Sequence, residues 1–360
     1  MTSRVYNFCA GPAALPTEVL EQAQADLLDY QGKGMSLMEM SHRSEDVVAV
    51  SQQAIADFRQ LMGISDDYEV LYMQGGATAQ FAAIPLNLLG KNNKVDFIDT
   101  GMWSAKAIKE AKRYADVHLA ASTAEQKYSD RPSQDQLQLR SDAAYLHYTP
   151  NETIGGVEFD YIPESDAPLV ADFSSSILSQ PIDVNRYGLI YAGAQKNIGP
   201  SGMAWVIVRK DLLDQARAEC PTLMNYEANI KADSMLNTPP SFSVYLCGLV
   251  FKWLLAKGGP EAMAELNATK AKTLYDFIDA NGFYQNPIAP QARSRMNVPF
   301  TLANPELDKV FVKEAEAAGL SNLAGHRSVG GMRASIYNAM PLAGVEALVS
   351  FMADFEKRHG

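Results

Sequence analysis

Lys196, in the segment AGAQKNIGPSG at residues 192–202, is the side chain of this sequence best placed for covalent chemistry. It lies just past an apolar run, between small residues and ahead of a glycine-rich turn. Lysine is costly to bury. At the end of a core strand it needs a partner, and an aldehyde is one solution, because a desolvated amine has a lowered pKa and forms an imine. Asp172 ends a second apolar run, LVAD, just before FSSS. A carboxylate in an apolar setting keeps a pyridine nitrogen protonated, the condition under which pyridoxal phosphate (PLP) serves as an electron sink. Read singly, Lys196 is as readily a surface lysine in a strand–loop connection, and Asp172 is more simply a turn cap.

Three further segments share the strand-end position. GGATAQ at residues 75–80 follows a strand-like run and opens a helical one. Free amides at such a helix start bind phosphate, and the Thr78 hydroxyl would add a hydrogen bond. Trp103, in TGMWS, offers a flat ring that could stack on a pyridine, with core packing as the plainer alternative. Thr153, in PNETIGG, could reach a ring hydroxyl or be a simple turn residue. Five such features at successive strand ends assemble by chance far less readily than any one of them occurs.

The elements that must hold these residues follow from hydrophobic patterning. Runs at 69–73, 94–99, 143–148, 168–173, 188–193 and 203–209 predict strands, several of them apolar throughout and so buried on both faces. Helices are predicted between them, over 46–62 with Val47, Val50, Ala54, Phe58 and Leu61 on one stripe, over 77–89 and over 104–114. This alternation predicts an α/β domain whose mainly parallel central sheet lies between helices. In such a sheet the strand ends carrying Lys196 and Asp172 meet on one side, where ligands bind. The texture changes after GGP at 258–260. Helices are predicted over 261–281 and 305–318, the second with Asn304 as N-cap, Pro305 in its first turn and Gly319 at its end. Alternating runs at 295–302 and 332–337 predict strands, with Arg333 opposite Met332 and Ala334. A last amphipathic helix carries Val345, Leu348, Val349, Met352 and Phe355. The expected division is a large domain at 16–257 and a smaller α+β domain at 258–360, with 1–15 packing nearby.

With 360 residues, 47% hydrophobic and 20% charged, the chain suits two domains of ordinary globular composition. A net charge of -11 argues against nucleic acid or anionic membrane as partners. An acidic protein that takes an anionic substrate must gather its cations locally. His42-Arg43 and His326-Arg327 do place two of the five histidines beside arginines. Cys9, Cys220 and Cys247 are widely spaced and odd in number, so neither a metal site nor a disulfide framework follows, and a reducing compartment is expected. No run is apolar enough for a signal peptide or a membrane span, which makes the cytoplasm the default.

Nearly end to end, the chain resembles the phosphoserine aminotransferases, in the class V group of fold-type I PLP enzymes. The markers are NFCAGPAALP at 7–16, MSHRS at 40–44, QFAAIPLNLL at 80–89, GMWS at 101–104, NETIGG at 151–156, ADFSSS at 171–176, AGAQKNIGPSG, NTPPSF at 237–242 and GHRSVGGMRASIYNAM at 325–340. The resemblance implies that Lys196 carries PLP as a Schiff base, with Asp172 at the pyridinium, Trp103 stacked on the ring and Thr153 at its hydroxyl. It implies phosphate contacts from Ala77, Thr78 and Gln195, joined by Asn237 and Thr238 of the other subunit of a homodimer. It assigns the substrate α-carboxylate to Arg333, and the distal phosphate or carboxylate to His42, Arg43, His326 and Arg327, assembled across the dimer interface. The implied reaction moves an amino group from glutamate to 3-phosphohydroxypyruvate, a step of serine biosynthesis. In some bacteria such enzymes also aminate a phosphorylated hydroxythreonine precursor of vitamin B6. Two segments depart from the family pattern. Ala77, Thr78 and Ala79 replace part of a richer glycine run, and Cys9 stands where many relatives have serine. A cysteine desulfurase is the nearest rival, but neither Cys220 nor Cys247 lies in a recognisable catalytic loop. A non-catalytic PLP-binding protein is the rival from another class.

Overall fold

The computed structural model describes residues 4–280 and 282–360. Its main sheet is built from β1 (Tyr68–Gln74), β2 (Lys94–Asp99), β3 (Asp116–Ser122), β4 (Leu146–Tyr148), β5 (Leu169–Asp172), β6 (Leu189–Gly193) and β7 (Met203–Arg209). The spatial order is β1-β7-β6-β5-β4-β2-β3. Neighbours from β3 to β6 run parallel, whereas β7 is antiparallel to both β6 and β1. The C-terminal ends of every strand but β7 therefore share one edge of the sheet. Six of these strands match apolar runs of the sequence. The seventh, β3, is an edge strand whose Asp116, Leu119 and Ser122 are exposed, so no buried-strand pattern marks it.

The helices among the described residues are α1 (Thr17–Ala25), α2 (Glu45–Met62), α3 (Gly76–Leu88), α4 (Met102–Ala111), α5 (Tyr226–Lys231), α6 (Ser241–Ala256), α7 (Gly259–Asp279), α8 (Asp308–Ala317) and α9 (Leu342–His359). None is long and apolar enough to cross a membrane. Successive strand residues point to opposite faces. Trp205 and Ile207 of β7 thus enter the core under α2 and α6, where Phe58 stacks on Phe251 with ring centres 5.0 Å apart. Val206 and Val208 enter the opposite core with Phe81 of α3 and Ile108 of α4. Ser44 caps α2 by accepting from the Val47 amide, and Gly63 ends it in the left-handed conformation with φ 62°.

A third core gathers Leu274, Phe300, Phe311, Met332, Leu348 and Phe355. Around it, α7, α8 and α9 pack on an antiparallel sheet of β8 (Tyr284–Gln285), β9 (Asn297–Leu302) and β10 (Met332–Ser335). Patterning predicts β9 and β10 but misses the two-residue β8. Tyr6–Asn7 pairs in parallel with Leu320–Ser321, and Phe8 enters this core. Asn304 accepts from the Glu306 amide as expected of a cap, but Pro305–Leu307 forms a 3-10 turn before α8 begins. The end of the predicted 261–281 helix, Asn281, lies outside the described residues.

Candidate active site

β6 ends at Gly193, and the following turn carries Lys196 back into the shared sheet edge. Lys196 is 6% exposed. Its Nζ donates to Thr153 Oγ1 at 2.6 Å and lies 5.2 Å from the centre of the Trp103 ring. Burial draws its pKa down to about 8. The charges of Asp172 and Glu152 oppose that fall, and those of Arg333 and Lys106 add to it. Asp172, the last residue of β5, is buried, and its Oδ1 accepts from the Ser174 amide at 2.9 Å. Burial pushes its pKa up, while the charge of Lys196 and hydrogen bonds from Ser174 and Tyr191 hold it down. The Tyr191 hydroxyl also lies 2.9 Å from His147 Nε2, and burial drops the His147 pKa to about 3, so that imidazole is neutral.

Trp103 sits in the first turn of α4, where two amides lack intrahelical partners. Glu152 supplies both: Oε2 accepts from the Trp103 amide at 3.1 Å and Oε1 from the Ser104 amide at 2.8 Å. Lys106, one turn further along, stands over the Trp103 ring at 4.1 Å. The buried Trp103 indole N–H finds no partner among the described residues.

At the end of β1 the chain turns through Gly75 and Gly76, with φ 92° and 62°, a region that suits glycine, and enters α3. The first amides of α3, at Ala77 and Thr78, belong to the unpaired first turn. Gln195 and Ala77 both crowd Gly193: a Cβ there would stand 2.8 Å from Gln195 Oε1 and 3.4 Å from Ala77 Cβ. Gln74 Nε2 donates to Asn237 Oδ1 at 3.0 Å and to the Thr238 carbonyl at 3.3 Å, so this exposed pair lies at the β1 end of its own chain.

Arg333 projects from β10, and its Nη1 donates to the Thr153 carbonyl at 3.3 Å. Burial lowers the Arg333 pKa, opposed by the nearby Tyr337 and Cys9, and Tyr337 also ties down the N-terminal strap by donating to the Ala10 carbonyl at 2.8 Å. Burial lowers the His326 pKa, as do the charges of Arg333, Arg327 and Lys106. The site of one chain thus brings together Lys196, Asp172, Thr153, Trp103, Arg333 and His326, with exposed Arg327 beside it. His42 and Arg43 occupy the turn before α2, and no hydrogen bond or ion pair among the described residues joins them to this group. Pattern reading missed Glu152, Tyr191, His147 and Lys106. Glu152 was visible as an acid between Asn151 and Thr153 in NETIGG, but its partners are amides some fifty residues away.

These residues fit PLP. A buried amine with one hydroxyl partner and a buried carboxylate feel each other's charge without forming an ion pair. An aromatic ring flanks the amine, and a helix start with free amides lies at the same edge. The profile of the aminotransferase class-V family matches residues 5–348. The chain belongs to the class-V aminotransferases. Among members of that family it is 62% identical, over 99% of its own length and 100% of the relative's, to a phosphoserine aminotransferase of Acinetobacter baumannii. A phosphoserine aminotransferase structure from Bacillus circulans subsp. alkalophilus shares 50% identity with a TM-score of 0.97, covering 99% of each chain. A PLP-bound phosphoserine aminotransferase structure from Trichomonas vaginalis, 42% identical with a TM-score of 0.94, matches 97% of this class-V chain and all of its own.

Proposed function

We propose that this chain is a PLP-dependent transaminase that transfers the amino group of L-glutamate to 3-phosphohydroxypyruvate, reversibly, giving 2-oxoglutarate and O-phosphoserine. The observation that carries the reading is the Lys196 amine, buried against Thr153 and Trp103 within range of the Asp172 charge, with Arg333 and His326 converging on the same place. The full-length relatives supply the substrate.

Lys196 would hold the cofactor, Asp172 its ring nitrogen, Trp103 its face and Thr153 its hydroxyl. The phosphate falls to Ala77, Thr78 and Gln195, with Asn237 and Thr238 of a second subunit. When bound, PLP supplies an electron sink for the substrate α-carbon, which the polypeptide lacks. Lys196 then serves as the proton carrier, since an amine with a pKa near 8 both accepts and returns a proton at neutral pH. Asp172 keeps a proton on the ring nitrogen. Arg333 takes the α-carboxylate, and its position on the Thr153 carbonyl keeps that anchor beside the amine. His326 and Arg327, with His42 and Arg43 across a dimer interface, take the distal anion; guanidinium forks with imidazole donors suit both phosphate and carboxylate.

The homodimer belongs to this reading. Leu27, Leu28, Met35 and Met38 are exposed in the segment that leads to His42, as are Leu223 and Leu236 in the stretch before Asn237, and a second copy would cover them. A cytoplasmic location accords with three free cysteines. The division at residues 257 and 258 is supported by the separate core around β9 and β10. A panel of amino donors and keto acceptors on purified protein tests the function. Glutamate with 3-phosphohydroxypyruvate should exceed glutamate with hydroxypyruvate or pyruvate by at least about a hundredfold in kcat/KM, the worth of a charge-assisted anion site. Equal rates with unphosphorylated acceptors would refute the substrate. The same panel with phosphorylated hydroxythreonine decides whether the vitamin B6 step is shared.

A further inference from the structure

We propose that Glu152 is a positioning residue for transamination: its carboxylate fixes the Trp103 ring at the cofactor site and, through the adjoining Thr153, the resting place of the Lys196 amine. This rests on the PLP reading above. Gly101, the N-cap of α4, has no side chain with which to meet the amides of the first turn. The Ser104 hydroxyl instead accepts from the Thr100 and Gly101 amides at 3.0 and 2.9 Å. Two further amides of the first turn, of Trp103 and Ser104, are met from outside the helix by the two oxygens of Glu152. The approach is close enough to require glycine at 101, where a Cβ would stand 2.5 Å from Glu152 Cδ. Glu152 is fully buried.

The backbone that presents Glu152 is itself fixed on two sides. Asn151 Nδ2 donates to Ser175 Oγ at 2.8 Å, three residues beyond Asp172, and to Asn297 Oδ1 at 2.9 Å on β9. Thr153 then holds Lys196 Nζ with its hydroxyl and Arg333 Nη1 with its carbonyl. One three-residue segment thus ties the stacking ring, the reactive amine and the carboxylate anchor into a single frame. A carboxylate suits the task because the helix start is electropositive and offers one donor to each oxygen, an arrangement a neutral amide cannot match because one of its two terminal atoms is a donor. Burial pushes the Glu152 pKa up to about 7, against the hydrogen bonds from the Ser104 and Trp103 amides, and in its ionised form the carboxylate supports protonated Lys196 alongside Asp172, against Arg333 and Lys106.

The test is Glu152→Gln in the PLP-loaded enzyme, with Glu152→Asp as a charge-preserving companion. Glutamine keeps the size but turns an NH2 group toward one of the two amide donors. The visible circular dichroism of the bound cofactor should fall by at least about half, and the pH midpoint of its absorption band should move down as the negative charge is lost. The kcat should drop about tenfold with a much smaller change in KM for glutamate, the kinetic form of one lost charge-assisted hydrogen bond. Glu152→Asp should lower the dichroism while keeping the parent midpoint, because it retains the charge and shortens the reach. A merely structural carboxylate would lower the melting temperature and leave all three readouts in place. That result, with dichroism and kcat within twofold of the parent, overturns the proposal. If Glu152→Gln does not fold, Glu152→Asp decides by the same dichroism and kcat criteria. A parent protein with no visible band at all would instead refute the PLP reading.

Discussion

Burial brings the Lys196 amine to about 8, with Asp172 and Glu152 pulling the other way. Only the neutral amine attacks an aldehyde. About a tenth of it is neutral at pH 7, against fewer than about one in a thousand for an ordinary lysine. Capture of PLP by cofactor-free protein, followed by the visible band, should therefore accelerate about tenfold between pH 6 and 7 and level off above 8. A rate that climbs with the same slope to pH 10 would mean the amine is unperturbed. Lys196→Ala should abolish the borohydride-sensitive visible band altogether, and a normal band would refute the assignment. Arg333 is held through one nitrogen on the Thr153 carbonyl, and its buried Nε has no partner among the described residues. Arg333→Ala should lower kcat/KM about tenfold to a hundredfold for every amino acid tested, because the α-carboxylate is common to all of them.

At the scale of elements, α7 holds the segment that follows the strand carrying Arg333. Lys270 is fully buried on α7, and its Nζ donates to the carbonyls of Ile336, Tyr337 and Met340 at 2.9, 2.7 and 3.0 Å. Burial lowers its pKa to about 7, yet three acceptors around one nitrogen call for the three donors of an ammonium. The same turn reaches the neighbour of Lys196: the Asn338 amide donates to Asn197 Oδ1 at 3.1 Å. Lys270→Met should cost about 3 kcal/mol in denaturant unfolding, since it strands three buried carbonyls, and should raise KM for glutamate as β10 loosens. A loss below about 0.5 kcal/mol would show that the staple carries nothing. Patterning revealed α7, β9 and β10, because each has one apolar face. It did not reveal Lys270 or Glu152, whose partners are backbone groups distant in sequence, nor β3, whose edge position dissolves the pattern. Lys196, Asp172, Trp103 and Thr153 were legible because each directly follows or ends an apolar strand, and a parallel sheet delivers such ends to one edge.

The whole molecule carries a net charge of -11, so the cations it needs for an anionic substrate must be concentrated. One chain concentrates only some of them. His326 and Arg333 feel each other's charge beside Lys196, whereas no hydrogen bond or ion pair among the described residues ties His42 and Arg43 to that group, and the segment leading to them exposes Leu27, Leu28, Met35 and Met38. If a second copy covers that apolar surface, Arg43 of each subunit enters the site built on Lys196 of the other. This geometry can be tested by complementation. Lys196→Ala and Arg43→Ala homodimers should each be nearly inactive with phosphoserine. In a mixed dimer, one site loses both groups and the other regains both, because its lysine comes from one chain and its arginine from the partner. Random re-association of equal amounts makes about half the dimers mixed, each with one intact site, so about a quarter of the parent activity should return. Were Arg43 to serve the Lys196 of its own chain, every site in the mixture would still lack one of the two groups. Activity would then stay at the level of the unmixed variants, and the shared site would be refuted.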